Sequence, residues 1–255
     1  KNSDIALIYD EESHHVISEV FNQQVIDIFR NYDCDVVGAP IDRYFHHDME
    51  NPDMPDYKLY IFMNTIYLSS EEREAIQRKL AKNHATALFF YGAGIMNPDC
   101  TPIFNLKHSE ELTGFQMELT DGVWSGKFKV MGEHPIAKGL FDDICYGAYD
   151  RKMRYNTSGY RGKVREIDNN LLPLITECDP DAECVAYFAD SEKNALSVKE
   201  YGGFTSIYCG SKYVNNEVVR AIAAFAGCHI YCDTNDVLYA NKNYITFHAS
   251  SRGEK

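Results

Sequence analysis

Residues 57–97 read YKLYIFMNTIYLSSEEREAIQRKLAKNHATALFFYGAGIMN and contain the pattern that decides the fold. The apolar runs YKLYIFMN (57–64) and ATALFFYG (85–92) are typical of strands buried on both faces. Between them, Ser69 and Glu72 have the spacing of a capping box, so a helix is predicted over residues 69–83. Two strands joined by a helix indicate a parallel pair with a right-handed crossover.

The same unit is visible earlier in the chain. Ile5–Tyr9 is predicted as a first strand, and DVVGAP (35–40) as a second. A helix is expected between them, because apolar residues repeat with helical spacing at Phe21, Val25, Ile28, Phe29 and Tyr32. The sequence therefore predicts a flavodoxin-like, doubly wound α/β fold whose ligand crevice lies at the carboxyl ends of the parallel strands.

The second half of the chain has the pattern of an antiparallel addition to this sheet. Short β-type runs occur at 126–131, 183–190, 194–201 and 204–210, and turn sequences separate the last three. A helix is predicted over 215–227, followed by two strands around Thr234-Asn235-Asp236. We expect one composite domain, with residues 1–227 forming the α/β body and residues 228–255 a C-terminal β-segment packed on it or extending it.

The composition excludes some classes of function. The chain has 255 residues, a net charge of -13 and 45% hydrophobic residues, so a globular core is expected and binding to nucleic acid is not. No apolar run is long enough to span a membrane. The eight cysteines are expected to be reduced, which favours the cytoplasm, although the start without methionine leaves export open. Cys228, His229 and Cys232 lack CxxC spacing, so buried thiols are preferred there to a zinc site.

The corner Tyr91-Gly92-Ala93-Gly94 has the small residues of a nucleophile elbow but no nucleophile. Cys100 lies beyond Pro98, too far along the chain to occupy the turn. His134 is followed by Pro135 and Ile136, so no carboxylate stands close in sequence to orient its imidazole. The corner therefore predicts a glycine turn without a reactive group.

The acidic segment after the first strand has two interpretations. Asp10, Glu11 and Glu12 could serve as acid and base in glycoside hydrolysis if they were held at the right separation. Acids between a strand and a helix more often cap the helix, with Ser13 or Ser18 as the N-cap residue. Capping is preferred, and hydrolysis by Asp10 and Glu12 with Tyr91 or His134 across the crevice remains the alternative.

Several stretches together resemble the trimerisation domain that follows the catalytic barrel in glycoside hydrolase family 42 β-galactosidases. They are IALIYDEES (5–13), YKLYIFMNTIYLSSEEREAIQRKL (57–80), FFYGAGIMN (89–97) and the closing segment 226–250. That domain is similar in fold to class I glutamine amidotransferases. Those enzymes carry a catalytic cysteine at the corner where this chain has Ala93, and a His-Pro-Glu motif of which His134-Pro135-Ile136 is a partial echo. The resemblance implies a non-catalytic relative.

We therefore predict a non-catalytic accessory or oligomerisation domain of a carbohydrate-active protein, without cofactor or metal. The expected partners are further copies of the chain or a catalytic barrel of the same protein, and carbohydrate is a further candidate. The alternative is a small-ligand or sugar-binding module that uses backbone N–H groups of residues 92–95. Its crevice candidates are Asp10, Glu12, Ser13, Asn64, Tyr91, Gly92, Ala93, Gly94 and His134.

Overall fold

A computed structural model describes residues 3–17, 33–147 and 170–249, together with the backbone of two short strands at 153–154 and 164–165. The predicted helix with the stripe Phe21 to Tyr32, and the candidate cap Ser18, lie outside these residues.

The centre of the molecule is an eight-stranded sheet. Its strands are β1 (Ile5–Tyr9), β2 (Ile41–Phe45), β3 (Leu59–Phe62), β4 (Thr86–Phe90), β7 (Phe128–Val130), β12 (Glu183–Phe188), β13 (Asn194–Tyr201) and β14 (Phe204–Cys209). They lie side by side in the order β2-β1-β3-β4-β14-β13-β12-β7. The first five strands in this order are parallel, and the remaining three are added antiparallel. The predicted antiparallel addition is confirmed except for β14, which pairs in parallel with β4.

Short ribbons flank this sheet. Antiparallel pairs join β5 (Met117–Thr120) to β11 (Leu174–Glu177), β6 (Trp124–Ser125) to β10 (Asn170–Leu171), β8 (Met153–Arg154) to β9 (Val164–Arg165), and β15 (Val237–Ala240) to β16 (Ile245–His248).

The described helices are α1 (Ser13–Val16), α2 (Ser70–Lys82), α3 (Leu106–Thr113) and α4 (Asn216–Phe225). Short 3-10 segments occur at Asp33–Val36, His46–Glu50 and Ala137–Gly139. The predicted capping box of α2 is confirmed, because Ser69 Oγ accepts the N–H of Glu72 and the Glu72 carboxylate accepts the N–H of Ser69. None of the described helices is long and apolar enough to cross a membrane.

Hydrophobic cores cover both faces of the sheet. Alternate residues of β1 point to opposite sides, so Ile5 and Leu7 belong to one core while Ala6 and Ile8 belong to the other. Helix α4 packs into the first core through Val218 and Ile222, and helices α2 and α3 pack into the second. The inner parallel strands β1, β3 and β4 are therefore buried on both faces, which explains why they read as continuous apolar runs, whereas β2 at the edge of the sheet is partly exposed.

Two predicted elements are wrong in position. Residues 35–40 are not the second strand, which is Ile41–Phe45. Gly38 adopts a positive φ of 89°, and its carbonyl accepts the N–H of Tyr231, so this stretch bonds to the C-terminal segment instead of the sheet. The last two strands do not lie around Thr234-Asn235-Asp236 but follow it, with their turn at residues 241–244.

Arg220 on α4 fastens the C-terminal segment to the body of the fold. Its guanidinium donates to the carbonyls of Val36 and Val37 at 2.9 and 2.7 Å, and to those of Asp233 and Thr234 at 2.8 and 3.1 Å. One rigid planar group therefore joins a helix to two separate loops.

We predict that Arg220→Ala lowers the free energy of unfolding by about 2–4 kcal/mol, because several carbonyls lose a charged donor. Urea unfolding measures this loss, and limited proteolysis should cut residues 233–248 faster than in the parent chain. Arg78→Ala is the control, because Arg78 is exposed and pairs with Glu74 on its own helix, one turn away. Equal stability of the two variants would contradict the role given to Arg220.

Candidate functional site

The carboxyl ends of β1 to β4 lie at one edge of the sheet, where α/β proteins usually bind ligands. The chain passes from β1 outward to β2 and returns to β3 on the other side of β1, so the strand order reverses between β1 and β3. Each of these strands delivers a polar or aromatic side chain to this edge directly or shortly after it ends. They are Asp10, His46, Asn64 and Tyr91.

In α/β proteins a ligand usually enters between the loops that follow the two strands where the order reverses, here β1 and β3. In this chain that space, which we term the gap, is closed by hydrogen bonds. The N–H of Asp10 donates to Asn64 Oδ1 at 2.9 Å, and Asn64 Nδ2 donates back to the carbonyl of Asp10 at 2.7 Å. Ser13 Oγ accepts the N–H groups of Ile66 and Tyr67 at 2.9 and 2.8 Å. Asp10, Ser13 and Asn64 are all buried, so the place where a ligand would enter is filled by the protein's own side chains.

Asp10 is a capping residue. Its carboxylate accepts the N–H groups of Glu12 and Ser13 at 3.0 and 3.1 Å, and Ser13 Oγ donates to the same carboxylate. The preference for capping over catalysis is therefore supported, although Asp10 makes these bonds and not Ser13. The side chain of Glu12 is exposed, whereas the carboxylate of Asp10 is buried.

His46 completes this network. Adjacent histidines such as His46 and His47 are expected to be solvated, and for His46 this prediction is wrong because its side chain is buried. The buried imidazole places Nδ1 3.0 Å from Asp10 Oδ1 and Nε2 2.7 Å from Glu72 Oε1. Burial lowers the pKa of His46, but the hydrogen bonds and charges of Asp10 and Glu72 outweigh burial and raise the pKa to about 10. The hydrogen bond from His46 likewise lowers the pKa of Glu72 to about 2. The imidazole therefore stays charged at neutral pH and cannot act as a base.

The glycine corner has the predicted turn but not the free amides that a ligand or an oxyanion would need. Gly92 and Gly94 have positive φ angles of 68° and 65°. The N–H groups of Ala93, Gly94 and Ile95 donate to the carbonyls of Phe90, Thr65 and Gly92 at 3.0, 2.7 and 3.1 Å. The expectation that residues 92–95 offer backbone donors is therefore wrong, because the turn and its contact with Thr65 already use them.

A strap formed by Leu172 to Ile175 covers the same corner. Tyr91 Oη donates to the carbonyl of Pro173, and Tyr208 Oη donates to the carbonyl of Ile175 at 3.1 Å. Burial raises the pKa of both phenols, so they remain protonated donors. Ala93 is buried and belongs to the second core, together with Leu112 and Phe115.

His134 lies at the end of the sheet opposite to Tyr91, where the parallel strands begin. Strand β7, which precedes it, runs antiparallel to β4, so the chain after β7 emerges near the amino ends of the parallel strands. There the ring packs against Phe225, and Nδ1 accepts the N–H of Ile136 at 3.2 Å. Burial lowers the pKa of His134, and the charge of Glu183 opposes this only in part. The alternative that places His134 across the crevice from Asp10 is therefore wrong.

No group of three or more His, Cys, Asp or Glu side chains suited to a metal ion occurs within the part of the chain that the structure describes. None of the eight cysteines forms a disulfide. The sulfur atoms of Cys228 and Cys232 contact the carbonyl of Asp4 and the side chain of Thr234 respectively.

The fold and this edge together define an α/β protein with a mostly parallel sheet. A GMP synthase subunit from Thermoplasma acidophilum has a similar structure, with a TM-score of 0.50 and 9% identity over 89% of this chain and 95% of that one. No protein-family model matches the sequence, and no curated protein matches it significantly.

Family 42 β-galactosidases share the fold as one part of a longer chain. The β-galactosidase of Rahnella sp. R3 is similar with a TM-score of 0.64 and 14% identity, over 94% of this chain and 34% of that one. A GH42 β-galactosidase from G. stearothermophilus is similar with a TM-score of 0.59 and 15% identity, over 95% and 33%. The chain therefore spans about a third of these two β-galactosidases, and the predicted resemblance is confirmed as a likeness of fold.

The His46 network predicts a loss of stability at alkaline pH. The pKa of His46 is about 10 in the folded chain against 6.5 for a free imidazole, so its contribution is complete below pH 6.5 and disappears as the pH rises through 10. The slope in that range should approach about 1.4 kcal/mol per pH unit for this group. His46→Gln should show a flatter profile in urea unfolding. His47→Gln, which changes the exposed neighbour, should keep the parent slope, and identical profiles for both would contradict the assignment.

Because Asn64 closes the gap, we predict that replacing Asn64 destabilises the fold strongly. Asn64→Ala removes both bonds to the backbone of Asp10 and leaves a buried N–H and carbonyl without partners, so we expect a loss of about 2–4 kcal/mol in the free energy of unfolding. Asn51→Ala is the matched control, because its side chain accepts one exposed backbone N–H. A loss below that of the control would show that the gap is held by other contacts.

Proposed function

We propose that this chain is a non-catalytic accessory domain of a larger carbohydrate-active protein of the β-galactosidase type. In this role it mediates self-association or docks onto a catalytic barrel and shapes the substrate cleft. The observation that carries the proposal is the closed gap between β1 and β3. There the side chain of Asn64 bonds to the backbone of Asp10, and Ser13 Oγ accepts the N–H of Ile66. An edge filled in this way is suited to support a structure and not to admit a substrate.

The glycine corner supports the same function. Amidotransferase-type chemistry needs a nucleophile at the corner, a base beside it and free donors for an oxyanion. Here Ala93 is buried, the N–H groups around it are bonded, and His134 lies at the other edge of the sheet. The nucleophile, the base and the oxyanion donors are therefore all missing, each for a different structural reason, so one substitution would not restore the chemistry.

The likeness to β-galactosidases supports an origin within a larger enzyme. The matched segment is about a third of those chains, as expected for one domain among several. The likeness is one of fold, so the substrate of any parent protein is part of the proposal.

We also propose the internal organisation of the chain. Residues 1–227 form a doubly wound body, supported by the hydrophobic cores on both faces of the sheet. Residues 228–255 form a segment that belongs to this body and is fastened to it by Arg220. A separate folding unit is disfavoured because the described part of this segment is mostly exposed, which leaves little core of its own.

Self-association is tested by multi-angle light scattering on the 255-residue chain across a range of concentrations. We expect a mass that is a multiple of 29.1 kDa. The gene product that contains this chain should also carry a glycosidase barrel. A strictly monomeric chain from a gene that encodes nothing else would contradict the proposed role.

We predict that Ala93→Cys does not create a glutaminase. The thiol would be buried, His134 could not reach it, and the N–H groups of the corner are occupied. Ammonia release from glutamine should stay at the level of the parent chain, while thermal melting should confirm that the variant is folded. Measurable turnover would show that the corner retains a working base and oxyanion site.

A further inference from the structure

A groove runs between helix α2 and residues 49–52, and we term it the α2 groove. Its volume of about 450 Å³ is in the range of pockets that hold small molecules. The charged side chains that line it are Glu50, Glu71, Arg78, Lys79 and Lys82. None of the residues that close the gap between β1 and β3 lines this groove, so it is a separate candidate site.

Two contacts hold the walls of the α2 groove in place. Near the start of the helix, His46 Nε2 lies 2.7 Å from Glu72 Oε1. Near its end, Lys79 Nζ donates to the carbonyl of Met54 at 2.6 Å. The chain from 46 to 54 therefore runs alongside the helix in the same direction, and the groove lies between two fixed points.

The wall formed by the helix is apolar in its middle and charged at its two ends. Glu71 precedes Arg78 by seven residues and Lys82 by eleven, so all three lie along one face of α2. Between them Ala75 is 5% exposed, and Met49 on the facing segment is 4% exposed. An apolar floor therefore separates the carboxylate of Glu71 from the two cations.

The carboxylates of the α2 groove favour a positively charged group. Glu50 and Glu71 are exposed, and neither forms an ion pair with another described residue. The macrodipole of α2 accounts for Glu71, which lies in the first turn of the helix. It does not account for Glu50, which ends a 3-10 segment, where a negative charge is not stabilised. A cation that enters the groove would neutralise charges that are otherwise unpaired.

The other end of the groove favours a negatively charged group. Lys79 is buried, donates to one backbone carbonyl and lies 2.9 Å from Asp56 Oδ1, so at most two of its three N–H donors are used. Lys82 pairs with the same carboxylate at 3.4 Å, and Arg78 pairs with Glu74 at 3.4 Å. Three cations thus share two carboxylates, which leaves one positive charge at this end for a ligand.

These charges select a zwitterion. A simple anion would meet the two unpaired carboxylates and the net charge of -13 of the chain, and a simple cation would leave the basic end without a partner. The distance between the ends sets the length of the ligand, because seven residues from Glu71 to Arg78 span about 10 Å along the helix axis. An extended peptide of three residues also spans about 10 Å, so its free ammonium and carboxylate groups fit the two ends.

We propose that the α2 groove binds a short zwitterionic peptide, with its ammonium group at Glu71 and its carboxylate at Arg78 and Lys82. Asn51 suits the peptide backbone between them, because its Oδ1 accepts the N–H of Asp53 at 2.9 Å while its Nδ2 has no acceptor among the described residues. The site goes beyond the proposed accessory role, since it depends neither on self-association nor on a carbohydrate-active parent.

The test is an NMR titration of the isotope-labelled 255-residue chain with trialanine, followed by the backbone amide signals of residues 49–51 and 71–82. We expect shifts on both walls of the groove. N-acetyl-trialanine lacks the ammonium group, and trialanine amide lacks the carboxylate. Each should bind roughly five- to tenfold more weakly than trialanine, because each loses one charged contact in a partly enclosed site.

Two variants assign the ends of the ligand. In Glu71→Gln the preference for trialanine over its N-acetyl form should disappear, while the preference over the amide remains. In Arg78→Gln the preference over the amide should shrink, while the preference over the N-acetyl form remains. Glu133→Gln is the matched control, because Glu133 is exposed and does not line the groove, and both preferences should persist there. Circular dichroism should show all three variants folded.

The proposal is overturned if trialanine produces no shifts along the groove, or if the three peptides bind equally well. It is also overturned if inorganic phosphate shifts the same signals while trialanine does not, which would identify a simple anion site. Equal weakening by Glu133→Gln and Glu71→Gln would show that net charge, and not the groove, controls binding. Each of these results would reject this inference alone, because the accessory role is tested separately by the mass in light scattering.

Discussion

The reciprocal pair of hydrogen bonds between Asn64 and the backbone of Asp10 is the constraint on which the rest of the edge depends. These bonds join the ends of β1 and β3 where the strand order reverses, which is the place that α/β folds usually leave open. With β1 held there, Asp10 can cap the next turn and contact His46, and His46 in turn reaches Glu72 on α2. One amide side chain thus supports a buried, charged network that spans three strands and a helix.

This network explains how an enzyme-like architecture can persist without enzyme chemistry. Buried polar groups are costly unless they are paired, so an empty crevice lined by Asp10, Ser13 and Asn64 would be unstable. Pairing these groups with one another satisfies them, and the strap over Tyr91 and Tyr208 covers what remains of the corner.

Much of the fold was predictable because β1, β3 and β4 are buried on both faces and α2 carries a local cap. The strand β3, the capping box of α2 and the antiparallel addition all follow from nearby residues. The position of β2 was not predictable, because residues 35–40 bond to Tyr231 and Cys232, far away in the sequence. His46 was missed for a similar reason: adjacent histidines look solvated, and only its contacts with Asp10 and Glu72 show that it is buried. In the sequence, the closed edge is indicated only by the polar side chains of Ser13, which follows β1, and Asn64, which follows β3.

The account is tested most directly by hydrogen exchange at the amides of Ile66 and Tyr67, which donate to the buried Ser13 Oγ. If the gap is closed by the protein itself, these amides should exchange as slowly in the unliganded chain as those in the core of β3 and β4. Fast exchange that slows only when a ligand is added would contradict the account, because it would show a crevice that is open and waiting to be filled.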